Sequence, residues 1–379
     1  MIRRHDLDWL RVLVFGLLIF YHVGMFFVPW EFHIKNNVTY NWLTYPMWFL
    51  NQWRLPILFV ISGMGTYYAL QKRKGMQFTL ERLKRLGLPL IFGMICIVPP
   101  QIYFERLDKN QFAGNYFDFW PSQLFNGVYP EGNFSWHHLW FLPYLLVFSI
   151  ILTPLFFYLK NHPKNKFIFW IKRITVRSIG LYIFIIPLYF IEILIEPLFP
   201  VTHALIDDWF TFANCIVLFF FGFVLISIED TFWSTVERYK KHFLITGILS
   251  FGIMLFITHQ YEDSYMRHYI EAFFKVANLW SWALTLFGFS ATYLNRKNNF
   301  LSYANEAVYP FYILHQTIMI MIAYYLIELD WSLAVKSSIM ILGTFILSWL
   351  FYEFLIRRWK YIRPLFGLKK RISRLNFKK

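Results

Sequence analysis

Ten runs of roughly twenty mostly apolar residues follow one another along this chain, parted by short charged or turn-rich connections. A helix needs about 20 such residues to cross the hydrocarbon core of a bilayer. In lipid, every backbone N–H and C=O must be satisfied within the segment, which a helix does by itself. The pattern predicts an all-α, polytopic membrane protein of about ten transmembrane helices, a single integral-membrane domain over 1–379. The expected spans lie near 7–29, 46–70, 86–105, 139–159, 177–196, 209–228, 242–259, 272–293, 306–327 and 334–357. Pro187, Glu192 and Glu196 interrupt the fifth. Composition agrees, because 58% hydrophobic and only 16% charged residues leave too little polar surface to clothe a soluble domain.

The formal charge of +15 then finds its explanation at the membrane, and no nucleic-acid partner is expected. Of the 37 Lys and Arg, 29 fall in the N-terminus, the even-numbered connections and the C-terminus, against five in the odd-numbered connections. Basic residues collect on the cytoplasmic side, so both termini are expected there, with membrane lipids as the surrounding partner. The first apolar run is too long for a signal core, and no small-residue cleavage site follows it, so it reads as an uncleaved span. Cys96 and Cys215 lie inside apolar runs, which argues against a disulfide framework. No CxxC or HExxH spacing is present, and no metal is expected.

Function is sought where the residues do not suit lipid. An ionisable group at mid-span costs about 2.5–3.5 kcal/mol on insertion scales, so each is a functional candidate. The first helix carries two, Arg11 and His22. Eleven residues apart, they lie within ~20° of one helix face and about 16 Å apart along its axis. Arg11 sits towards the cytoplasm with Asp8 one turn before it, and His22 sits beyond the midplane. A neutral histidine can take a proton from a hydroxyl near pH 7, while an arginine fork suits phosphate or carbonyl oxygens. The structural alternative is that His22 bonds a neighbouring helix and Arg11 snorkels to headgroups.

Other polar residues point into the same bundle. His315 falls mid-membrane on the ninth span. Arg54 opens the second span, and Ser62-Gly63 supplies small residues for close helix packing. His137, His138 and Trp140 start the fourth span, either as interfacial anchors or as substrate contacts. Arg82 and Arg85, preceded by Lys72–Lys74, form a positive inner loop that would also suit cofactor phosphates. The connection 106–138 is the longest outside and rich in aromatics, read equally as an interfacial belt or a sugar platform.

Leu7-Asp8-x-Leu10-Arg11 followed by His22 resembles the first-helix signature of the acyltransferase family 3 membrane proteins, an Arg, ten residues, then a His. Pro56–Gly63 is similar to that family's Phe-Phe-x-x-Ser-Gly element, and Arg82, Arg85 and Tyr312–His315 also match. Asn305–Tyr312 and the tail Arg363–Lys369 look most like the family's glucan biosynthesis protein C branch. The resemblance implies an O-acyltransferase in the bacterial cytoplasmic (inner) membrane. Acetyl- or succinyl-CoA would be the donor, and a hydroxyl of an extracytoplasmic glycan or lipid-linked sugar the acceptor. It implies His22, Arg11 and His315 as catalytic residues, with Arg11, Arg82, Arg85 and Ser62 around the donor. Arg54, His137, His138 and Trp140 would meet the acceptor. A transporter using the buried Arg and His as a substrate or proton path remains the competing reading. No internal repeat speaks for it.

Overall fold

The computed structural model describes residues 3–370. Twelve helices are named here: α1 (His5–Phe27), α2 (Thr44–Leu70), α3 (Gly75–Asp108), α4 (Tyr116–Gln123), α5 (His137–Asn161), α6 (Lys166–Ile174), α7 (Ser178–Leu198), α8 (Trp209–Ser227), α9 (Glu229–Gln260), α10 (Tyr265–Tyr293), α11 (Asn299–Leu326) and α12 (Leu333–Ile356). Among the described residues there is no strand, only an isolated bridge between Val128 and Phe134. Several starts follow from side-chain capping of otherwise unpaired N–H groups. Asn115, Asn165, Ser264 and Ser332 accept from Asp118, Ile168, Arg267 and Val335 respectively.

Eight of these helices are long and apolar enough to cross a membrane: α1, α3, α5, α7, α8, α9, α11 and α12. The second and eighth expected spans are occupied by α2 and α10, of 27 and 29 residues. At 1.5 Å per residue both have the length to cross, but polar residues dilute them. Those residues face protein: Gln52, Arg54 and Thr66 of α2 and Asn278, Ser281 and Thr285 of α10 are all buried. Hydropathy thus supports eight spans among the described residues.

The chain forms two compact units. The first comprises the residues up to Val14, Tyr45–Leu80 and Pro143–Ser302. Its longest pairing sets α9 antiparallel to α10, with Gly247 against the Trp282 ring and Gly288 against the Val236 carbonyl. Gly63 of α2 and Gly222 of α8 meet reciprocally: a Cβ on Gly63 would lie 1.9 Å from the Phe219 oxygen, and one on Gly222 would lie 1.9 Å from the Val60 oxygen. Small residues at such a crossing let two backbones touch. Glu192, which interrupts the fifth expected span, forms an ion pair with Lys275 of α10.

The second unit comprises Phe15–Thr44, Glu81–Leu142 and, among the described residues, 303–370. Its apolar core gathers Val23, Phe26 and Phe27 of α1, Phe104 of α3, Met319, Ile320 and Ala323 of α11, and Met340 of α12. The end of α1 is fixed by Lys35, whose ammonium donates to the carbonyls of Met25, Val28 and Trp30. Burial draws this lysine down to about 8.

The two segments that resemble the glucan branch meet in this unit. Arg363 donates to the Glu306 carboxylate at 2.7 Å, and Tyr309 donates to the Arg85 carbonyl at 3.1 Å. Gly367 closes the turn with φ of 70°, and a Cβ there would fall 1.8 Å from the Tyr309 ring. Gly367→Ala should therefore undock the tail, at a cost of roughly 1–3 kcal/mol from the left-handed backbone alone. Limited trypsin digestion should cut the variant faster at Arg357 and Arg358; equal rates would count against the docking.

Candidate functional site

The geometry of the second unit converges on His22. Its ring stacks on that of His315 with centroids 5.0 Å apart, and His22 Nδ1 lies 3.2 Å from His315 Nε2. The proton positions follow from the partners. His315 Nδ1 faces the Tyr312 carbonyl at 2.7 Å and the Phe311 carbonyl at 3.2 Å. A carbonyl only accepts, so Nδ1 carries the hydrogen and the neutral ring keeps its lone pair on Nε2. His22 must then donate from Nδ1 to His315 Nε2, which leaves its basic lone pair on Nε2. This order matches a histidine base whose second ring nitrogen is oriented by a third group.

A second layer holds His315 in place. His138 stands edge-on to its ring at 5.3 Å and donates from Nε2 to the Ile313 carbonyl at 3.0 Å. Its Nδ1 receives Gln101 Nε2 at 3.2 Å. Gln101 also donates to Thr317 at 2.6 Å and accepts from Gln316 at 3.2 Å. Thr317 passes its hydrogen to the Ile97 carbonyl at 2.7 Å. Tyr312 completes the circuit by donating to the His138 carbonyl at 2.6 Å. Both ring nitrogens of His138 are thus engaged within the protein. Beside α11, a cavity of about 590 Å³ is bordered by Phe92, Cys96, Leu314, Thr317, Ile318 and Tyr325.

The remaining sequence candidates fall as follows. Arg11 shares α1 with His22 but belongs to the first unit. There Asp8 Oδ1 lies 3.4 Å from its guanidinium, as the spacing suggests, while Arg3 takes the other oxygen at 2.8 Å. Arg54 and Ser62 lie on α2 in the first unit, Arg54 with only 3% of its surface exposed. Arg82 and Arg85 belong to the second unit, at and just after the first straight segment of α3. Trp140 ends the turn that opens α5. His137, on the same turn, faces away from this cluster to meet Glu105 and His33. The sequence offered no sign of Gln101 and Thr317, polar groups without charge, nor of His33, which lies in a connection. Glu105 did carry a signal, as an acid closing the third expected span.

Residues 4–353 match the family described as an acyltransferase domain. Among curated proteins, the chain is 25% identical over 167 residues to glucans biosynthesis protein C of Escherichia coli strain SMS-3-5. It is 24% identical over the same length to the proteins of that name from Escherichia coli strain K12 and Shigella dysenteriae serotype 1. These matches cover 43% of this chain and 42% of each relative, so the chain spans under half the length of the curated relatives it matches. No solved structure matches. With a family match over nearly all its length and eight helices fit to cross a bilayer, this integral membrane protein belongs to the acyltransferase family 3.

Proposed function

We propose that the chain transfers an acetyl or succinyl group from cytoplasmic acyl-CoA to a hydroxyl of an extracytoplasmic glycan in the bacterial inner membrane. The observation that carries this reading is the hydrogen-bonded order Tyr312 carbonyl, His315, His22, which leaves His22 Nε2 as the base. In the proposed step the acceptor oxygen attacks the thioester carbonyl carbon as His22 Nε2 takes its proton. The C–S bond breaks, and the proton passes to the departing thiolate. His315 stabilises the imidazolium that forms on His22 by accepting from its Nδ1. The glycan acceptor is suggested by the name of the curated relatives. Arg82 and Arg85 are the proposed cations for the donor phosphates, and the apolar cavity beside α11 suits the acyl chain. Trp140 is proposed to meet the acceptor. The whole chain is proposed to act as one membrane domain with both termini in the cytoplasm.

The test is label transfer. Membranes holding the protein, given acetyl- or succinyl-CoA labelled in the acyl group, should yield labelled glycan; solute uptake without a covalent product would sink the reading and favour transport. His315 serves as a positioning residue. His315→Gln, whose amide can still accept from His22, should retain more activity than His315→Phe, by about tenfold or more. Its pH–rate profile should shift, because the base's pKa depends on the acceptor at its Nδ1. Equal losses and an unmoved profile would remove His315 from the mechanism.

A further inference from the structure

We infer that His33, Glu105 and His137 form a binding site for a zinc-like divalent cation, a site separate from the His22–His315 pair. One nitrogen from each histidine and one carboxylate oxygen lie within 4.8 Å of one another. His33 Nδ1 is 2.8 Å from Glu105 Oε2, and His137 Nε2 is 3.9 Å from the same oxygen. The two imidazoles stack, with centroids 4.4 Å apart and planes within 12°. The Glu105 and His137 side chains are each 1% exposed.

One tautomer of His137 leaves a place for a cation. The Ser135 hydroxyl oxygen accepts from the His137 backbone N–H at 3.0 Å and lies 2.8 Å from His137 Nδ1. Read as a donor to that oxygen, Nδ1 holds the ring hydrogen and Nε2 presents a lone pair. That nitrogen is buried without a hydrogen-bond partner and faces a carboxylate oxygen. Two lone pairs confronting each other away from water repel unless something positive lies between them. The two distances to the Glu105 oxygen come near those around an ion, since at metal bonds of about 2.0–2.1 Å tetrahedral ligand atoms sit some 3.3 Å apart; binding would turn one imidazole out of the stack so that both in-plane lone pairs meet the ion.

The surroundings resemble the outer shell that metal ligands need. Glu105 divides its oxygens, with Oε2 towards the histidines and Oε1 accepting from Tyr129 at 3.0 Å and Lys109 at 2.7 Å. The carboxylate therefore binds through one oxygen only. Ser135 fixes the His137 tautomer. On loading, His33 turns its Nδ1 lone pair to the ion and carries its ring hydrogen on Nε2. Two imidazoles and one carboxylate favour zinc over calcium or magnesium, and this ligand set leaves a fourth position for water. His137 also adopts φ of 40°, a conformation uncommon for a residue with a side chain.

The full-length protein in detergent, stripped with chelator and then dialysed against zinc chloride with a competing chelator, tests the site. About one equivalent of zinc should remain, measured by elemental mass spectrometry. His33→Ala and His137→Ala should each lose it. Ser135→Ala should weaken it by about 10–100-fold. His162→Ala, at an exposed histidine elsewhere, should keep it. Because an alanine variant can lose metal by misfolding, His137→Cys should be loaded with cobalt(II) while monodisperse on gel filtration. It should then show a thiolate-to-cobalt charge-transfer band. No retained zinc in the unaltered protein, undiminished zinc in both histidine variants, or a monodisperse His137→Cys without that band would each overturn the inference.

Discussion

His22→Ala is expected to lower acyl transfer by about 10²–10⁴-fold, the range that a positioned general base contributes. The loss should fall on kcat, with donor binding little changed, because the missing lone pair is needed only as the hydroxyl gives up its proton. His22→Gln should be as inactive: glutamine can still donate to His315 Nε2 but has no basic nitrogen to offer the acceptor. Label incorporated into glycan, normalised to folded protein in the membrane, checks both. Full transfer by a folded His22→Ala protein would dismiss the mechanism.

The largest stability effect is expected at the crossing of α2 and α8. Gly63→Ala and Gly222→Ala each place a methyl group 1.9 Å from a backbone carbonyl oxygen of the partner helix. Backbone cannot swing aside as a side chain can, so the helices must separate and lose packing along their length. Overpacking typically costs about 1–3 kcal/mol, and this contact lies at the severe end. The comparison is Gly65→Ala on the same helix, where nothing lies within 4 Å of the added carbon. There alanine should be neutral or stabilising by about 0.5–1 kcal/mol. Thermal unfolding in detergent should separate the variants, the first two melting well below the third. Similar midpoints would show that the crossing yields.

How much of this was legible depends on what kind of signal a residue leaves. Helices at all ten expected positions were visible as apolar runs, because a span's length is set by the bilayer. Hydropathy, however, supports only eight as crossing segments: α2 and α10 carry buried Arg54 and Asn278, which a hydropathy sum counts against them although they face protein. Arg11 and His22 stood out because ionisable groups in a span are costly. Their division of labour, by contrast, needed coordinates. His22 and His315 are 293 residues apart, and only the carbonyl of Tyr312 reveals which nitrogen holds which hydrogen. The pairing of Glu306 with Arg363 gives two short resembling segments a shared physical reason. The His33–Glu105–His137 group is drawn from one connection, from α3 and from the first residue of α5, so no spacing rule could announce it.

The α3 helix is not a uniform α-helix: it holds two π-helical turns, Leu83–Gly87 and Gly93–Ile97. Such a turn absorbs one surplus residue and leaves carbonyls for other donors, here Ile95 for the Trp120 indole and Ile97 for Thr317. Deleting a single residue from the second turn would let the helix heal into regular geometry. Everything beyond it would keep its facing, with Gln101 towards His138 and Glu105 towards both histidines, whereas a deletion from a regular turn would rotate that whole segment by about 100°. Descendants of this chain can therefore lose one residue at such a turn but not in the regular turns beside it, and kin aligned without a one-residue gap there would have their polar positions read out of phase.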